Sequence, residues 1–302
     1  MPSSNPILMP QSTSAISKEC RGALAQAFAR VNEDIDLDSQ GYMTDPRHNL
    51  VEGVRFEDIE GDLLQGDGSE LRGGRNGRPT KFLAAHSSTA LAVNVFGLFR
   101  QGASALRMPW GGAITSLQFE RKCSHGVGHG RPPNLDVILD GPAGVIGIES
   151  KCLEIIGDPR ADFRPAYNED LRGARRQTPW FHEMQGLMTN PRAYRRLDAA
   201  QLIKHALGLA FSFPGRRTTL AYIFWEPTNA SEISIFREHR ADLDRFKEAI
   251  GAGTPDFVSL SHQELWNYWA TMDDAPVWLI AHVGKLRDRY SFAVDCGAQI
   301  RS

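Results

Sequence analysis

The stretch Asn134-Leu135-Asp136-Val137-Ile138-Leu139-Asp140-Gly141-Pro142-Ala143-Gly144-Val145-Ile146-Gly147-Ile148-Glu149-Ser150-Lys151-Cys152-Leu153 decides how this chain is read. Two runs rich in aliphatic residues flank Gly141-Pro142-Ala143-Gly144, a turn by composition. With those four residues as the loop, Asp140 faces Val145, Ile138 meets Gly147, and Asp136 lies opposite Glu149. Side chains alternate across a strand. Val137, Leu139, Ile146 and Ile148 therefore form an apolar core face, and the other face carries Asp136, Ile138, Asp140, Gly147, Glu149 and Lys151.

Two carboxylates opposed across a ladder have Cβ atoms about 5 Å apart, and like charges there repel. Solvent, a proton, a nearby cation or a bound metal must offset that repulsion. Hard oxygen ligands at this spacing suit Mg2+ or Mn2+, which keep several waters. Lys151 shares the face two residues after Glu149. An ammonium there can orient a metal-bound water or stabilise charge on a scissile phosphate. The triplet Glu149-Ser150-Lys151 alone carries little information, because Glu120-Arg121-Lys122 has the same pattern. What raises it is the upstream acid in facing register and the apolar opposite face; a solvated, mixed-charge hairpin face is the plain alternative.

Outward from the hairpin, the pattern alternates. Ala113 to Cys123 reads as a preceding strand, and Ser87 or Ser88 caps a helix running to about Arg100. Downstream, Asp158 to Arg196 is Arg-rich and irregular. A helix from Asp198 to about Phe211, a strand from Thr218 to Trp225 and a helix over Ser231 to Ile250 follow. A short strand spans Phe257 to Leu260, Ser261 caps another helix, and Pro276 opens a last one through Leu286. Upstream, Ile16, Cys20, Leu24, Phe28 and Val31 follow helical spacing, whereas Asn32 to Pro79 shows no period. This order predicts an α/β fold with a mixed sheet, an antiparallel hairpin flanked by helices. Residues 1–14 read as a disordered tail and 15–302 as one domain with an N-terminal extension, its core at about 81–270.

The chain has 302 residues, 41% hydrophobic and 23% charged, which excludes disordered and fibrous classes. No apolar run approaches the ~20 residues of a membrane span, and Met1 to Thr13 lacks the basic and apolar regions of a secretory signal. A cytoplasmic protein is the expectation. The net charge of −2 excludes a grip on nucleic acid by bulk charge. Cys20, Cys123, Cys152 and Cys296 are scattered, so neither a disulfide framework nor a cysteine zinc site is supported.

Pro133-Asn134-Leu135-Asp136, followed after twelve residues by Glu149-Ser150-Lys151, resembles the signature of the PD-(D/E)xK nuclease superfamily. The element order agrees over roughly Lys81 to Trp225, with Phe257 to Trp269 a plausible extension. Ser87-Ser88-Thr89-Ala90-Leu91-Ala92-Val93-Asn94-Val95-Phe96-Gly97 and Gln201-Leu202-Ile203-Lys204-His205-Ala206-Leu207-Gly208-Leu209 are similar to segments of a restriction-endonuclease-like bacterial family. The resemblance implies a Mg2+-dependent nuclease acting on DNA, with Mn2+ able to substitute and a restriction-endonuclease-like core. Asp136 and Glu149 would bind the metal with help from the Ser150 carbonyl, and Lys151 would assist the attacking water. In such nucleases a polar helix after the third strand approaches the site, which makes Gln201 the preferred further residue and Lys204 the second. The departure is that proline does not directly precede the acid here, which keeps Asp140 as an alternative to Asp136. Cutting both strands often takes two active sites, so a homodimer is one candidate assembly.

Glu120 is a candidate further ligand or supporting acid, against a plain pairing with a neighbouring arginine. His125 and His129 flank glycines and read as a loop near DNA rather than a metal site. The Gly66 to Gly77 segment reads as a plain loop, lacking a phosphate-loop ending. Arg160, Arg164, Arg172, Arg175 and Arg176 interleave with acids, which favours a salt-bridged surface over a phosphate track. Trp180, Trp266 and Trp269 read as packing residues. Two other function classes remain open: a DNA-binding or assembly module without catalysis on the same fold, and an unrelated α/β enzyme with incidental hairpin charges.

Overall fold

The computed structural model describes residues 12–66, 70–72, 79–127, 132–169, 171 and 173–295. Residues 1–11 of the expected tail, most of the Gly66 to Gly77 loop, His129, Arg172 and Cys296 lie outside them, as does the side chain of Arg175.

The central hairpin pairs β2 (Asn134–Gly141) with β3 (Gly144–Lys151) in the expected register: Asp140 faces Val145, Leu139 faces Ile146, Ile138 faces Gly147 and Val137 faces Ile148. Gly141 also pairs with Gly144, so the loop tightens from four residues to Pro142 and Ala143. Only glycine suits position 141, because an added Cβ would stand 1.9 Å from the Ala113 carbonyl oxygen. β1 (Ser116–Lys122) joins β2 antiparallel, while β4 (Thr218–Phe224) joins β3 and β5 (Asp256–Ser261) joins β4, both in parallel, giving the order β1-β2-β3-β4-β5. The fold is thus α/β with a mixed sheet and a restriction-endonuclease-like core.

Parallel neighbours need crossover helices. α6 (Ala199–Ser212) links β3 to β4 and α7 (Ser234–Ile250) links β4 to β5. Asp198 starts α6 by accepting the Gln201 N–H, and Ser261 starts α8 (His262–Ala270) through a reciprocal capping box with Glu264. α3 (Ser88–Phe96), capped by Ser87, continues as 3-10 turns to Arg100, and α9 (Val277–Tyr290) follows Pro276 and runs one turn past the expected end. α2 (Glu60–Gln65) covers the free edge of β1, where Asp62 accepts the Phe119 N–H at 2.9 Å and pairs with Arg100.

Two expectations need correction. α1 (Thr13–Val31) begins inside the expected tail because the Ser12 hydroxyl accepts the Ala15 N–H and caps it. The Arg-rich stretch holds α4 (Ala166–Glu169) and α5 (Pro179–Thr189). Thr178 and Pro179 supply a good helix start, and Trp180, Phe181, Met184 and Leu187 make its buried stripe. The charge-bearing face of the hairpin is largely covered, which does not fit the plain alternative of a solvated, mixed-charge face. Ile138 and Glu149 are each 2% exposed. α6 lies over this face through close glycine contacts: a Cβ on Gly147 would meet Leu209 at 3.2 Å, and one on Gly208 would stand 2.6 Å from the Cys123 carbonyl. α3, with every residue from Thr89 to Phe96 buried, packs against β2 and β3. Trp180, Trp266 and Trp269 lie in the core as expected.

Candidate active site

At the end of the hairpin away from its turn, the ladder breaks on both sides of Asp136. The β2–β3 pairing stops at Val137 and Ile148, one step short of Asp136 and Glu149. There the Asp136 carboxylate, rather than backbone, bridges the strands, accepting the Ser150 N–H at 2.6 Å. On the other side, β1 and β2 pair at Phe119–Val137 and Arg121–Leu135 but not at Glu120. Glu120 has φ +48°, the sole non-glycine residue with positive φ among the described residues. That conformation costs on the order of 1–3 kcal/mol and persists only where surroundings impose it. Here it turns a carboxylate that is 8% exposed towards Asn134, whose amide lies 3.4 Å away.

Glu149 is the most heavily engaged of these acids. Its Oε1 accepts hydrogen bonds from Lys151 Nζ at 2.6 Å and Gln201 Nε2 at 2.8 Å. Its Oε2 stands 3.0 Å from His205 Nε2 without hydrogen-bond alignment, so neither atom has a hydrogen-bond partner among the described residues. Gln201 and His205 are one turn apart on α6 and share a face. Lys151 also lines a cleft of about 270 Å³ with Glu154, Arg196, Gln201 and Tyr222.

Burial, then Glu149 and then Glu120, pushes the Asp136 carboxyl well above the usual range. Burial, followed by Glu70 and Glu149, pushes Glu120 up to about 8. Burial would raise Glu149 too, but Lys151 and His205 outweigh it and hold the group near 2. Burial opposes the charge on Lys151, yet Glu149 and Asp136 raise its pKa far above the usual value. The cluster thus carries more carboxylate than its one lysine can balance, and an orphaned buried oxygen besides. That donor set fits a hard divalent cation, whose charge would relieve the repulsion. As the side chains stand, no three His, Cys, Asp or Glu residues among the described ones converge on a common metal position, so such an ion would keep waters.

The other candidates separate. Asp140 lies at the turn end, where Arg216 pairs with it at 2.8 Å, remote from the broken ladder. Lys204 turns from Glu149 and places its ammonium 5.2 Å from the centre of the Phe163 ring. His125 is buried, lies with its ring centre 5.1 Å from that of Tyr167 in a tilted contact, and accepts the Val127 N–H through Nδ1, a loop-ordering role. Arg176 donates to the Leu171 carbonyl and sits over Phe181. The Ser150 hydroxyl faces away from Glu149 and meets His262 Nε2 at 3.1 Å. Sequence reasoning put His205 on the same side of its helix as Gln201 and Lys204 but gave it no role, and it did not single out Glu70 or Asn134. The signal for His205 was its spacing of four from Gln201; Glu70 and Asn134 gave none.

Neither the curated proteins nor the solved structures contain a match to this chain. The sequence profile of a family described as restriction endonuclease associating with ARP matches residues 47–291, which include all five strands of the described residues and every residue of the carboxylate cluster. Together with the mixed five-stranded sheet, this match over most of the chain means that the protein belongs to the family of restriction endonucleases associating with ARP and carries a nuclease-like domain.

Proposed function

We propose that the protein is a Mg2+-dependent deoxyribonuclease that hydrolyses DNA phosphodiester bonds, cutting internally as an endonuclease. The observation that carries this reading is the cluster of half-buried Asp136 with buried Glu149 and Glu120 beside Lys151, at the one level where both neighbouring ladders are broken. Asp136 and Glu149, with the Ser150 carbonyl and Glu120 as a further acid, would hold Mg2+ or Mn2+. When bound, such an ion polarises the phosphate and makes water a better nucleophile. Lys151 lines the cleft, and its ammonium would orient the attacking water and balance charge on the phosphate. Gln201 fixes the Glu149 carboxylate by donating to Oε1. The family's description names an association with ARP, and we extend it to this chain: with a net charge of −2, a partner supplies part of the grip on DNA.

The test is incubation of supercoiled plasmid with Mg2+ or Mn2+, beside EDTA and Lys151→Ala controls. Nicked or linear product that disappears in both controls supports the reading. A Glu149→Ala protein that cuts as well as the parent would sink the site assignment. The second reading, a DNA-binding module without catalysis, draws on the 2.6 Å pairing that ties Lys151 to Glu149. It predicts DNA retention that ignores Mg2+ and yields no product.

A further inference from the structure

Two buried polar atoms at the floor of the cluster attract each other electrostatically but form no aligned hydrogen bond. Glu149 and His205 are 2% and 1% exposed, and Glu149 Oε2 and His205 Nε2 lack hydrogen-bond partners among the described residues. They stand 3.0 Å apart, close enough to interact, but the oxygen lies off the direction in which the ring nitrogen presents its proton or lone pair. Leaving such groups unsatisfied costs on the order of 1–3 kcal/mol each.

We propose that Glu149 Oε2 and His205 Nε2 are adjacent ligands of one divalent cation, which makes the site a mixed nitrogen–oxygen site that prefers Mn2+ to Mg2+. This deepens the metal-dependent reading above and rests on it. Two donors at a right angle around an octahedral ion, each about 2.1 Å from it, are about 3.0 Å from one another. The observed separation is 3.0 Å. Donors aimed at a common third atom do not point at each other, which accounts for the missing hydrogen bond. Lys151 and Gln201 occupy Oε1 and so fix the carboxylate plane, leaving Oε2 as its free donor. His205 is held at the same depth because it shares α6 with Gln201. Mg2+ favours oxygen ligands almost exclusively, whereas imidazole nitrogen suits first-row transition metals.

The experiment uses the full chain loaded with Mn2+ and reads pulsed EPR for a 14N coupling, together with calorimetric affinities for Mn2+ and Mg2+ on the parent and His205→Gln. The glutamine retains bulk and polarity, and circular dichroism checks that the variant folds. We expect a histidine nitrogen coupling that is lost in His205→Gln, and Mn2+ affinity that falls roughly tenfold or more while Mg2+ affinity changes less. Stoichiometric Mn2+ binding without nitrogen coupling, or a coupling that survives in the variant, overturns the assignment of His205 and leaves the metal reading intact. No Mn2+ binding at all overturns both.

Discussion

The two ends of one hairpin carry the same residue type on one strand, four positions apart, and treat it in opposite ways. At the turn end, Asp140 sits in a regular ladder and pairs with Arg216, both partly open to solvent. At the far end, Asp136 is half-buried beside the buried Glu120 and Glu149, and neither flanking ladder closes around it. The first is an ordinary surface ion pair, of the kind that contributes at most about 1 kcal/mol. The second opposes folding by desolvation and like-charge repulsion. A fold that retains such an arrangement is using it for something other than stability.

Breaking the comparison at its strongest point means removing charge from the far end. Asp136→Asn and Lys151→Ala are each expected to lower metal-dependent plasmid cleavage by a factor on the order of 100–1,000. Asp136→Asn should do so without lowering the melting temperature, because it removes a carboxyl that its acidic neighbours repel; melting curves in EDTA check this.

Glu120 sharpens the contrast next. Its folded pKa near 8 lies above the ordinary value of 4.5, so the folded state holds a proton that the unfolded chain has released. Its stability contribution is complete below about 4.5 and is lost as pH rises through 8. Glu120→Gln should therefore stabilise the metal-free protein at pH 8.5 by about 1–3 kcal/mol in urea titrations. Added Mg2+ should shrink that gain, and a variant that melts below the parent would contradict the account.

His262, behind Ser150, tests the same end from the acid side. Burial lowers its pKa from 6.5 to about 3, so the folded state keeps it neutral while the unfolded chain takes up a proton. Stability is full above 6.5 and falls by up to about 1.4 kcal/mol per pH unit between there and 3. Exchange for glutamine should flatten that slope in denaturation series from pH 7 to 5. The smallest effect belongs to the turn end: Asp140→Asn should cost less than about 1 kcal/mol and leave cleavage unchanged.

Much of the fold was readable because it depends on neighbours in sequence. Period-two alternation and the Gly-Pro-Ala-Gly turn were enough for the hairpin register, and Ser87, Asp198 and Ser261 marked three helix starts. α5 was obscured because its Thr-Pro start follows a run of arginines, and charge density hid a short apolar stripe. In the site, Asp136, Glu149 and Lys151 share one face of a hairpin, and Gln201 came with the family-like helix. Glu120 was visible only as a candidate, since nothing local announces a left-handed residue in mid-strand.

The sequence by itself determined which residues pair along the hairpin, because a two-residue period and a tight turn leave a single register that buries the aliphatic face. Tertiary structure alone decided what the other face became. Its fate depended on α6, which begins nearly fifty residues beyond Lys151 and settles through contacts at Gly147 and Gly208. That packing excludes water from Glu149, brings Gln201 and His205 to its two oxygens, and makes the carboxylates feel one another. Charge–charge energies are set by distance and surrounding dielectric, and neither quantity is written in the order of residues along the chain.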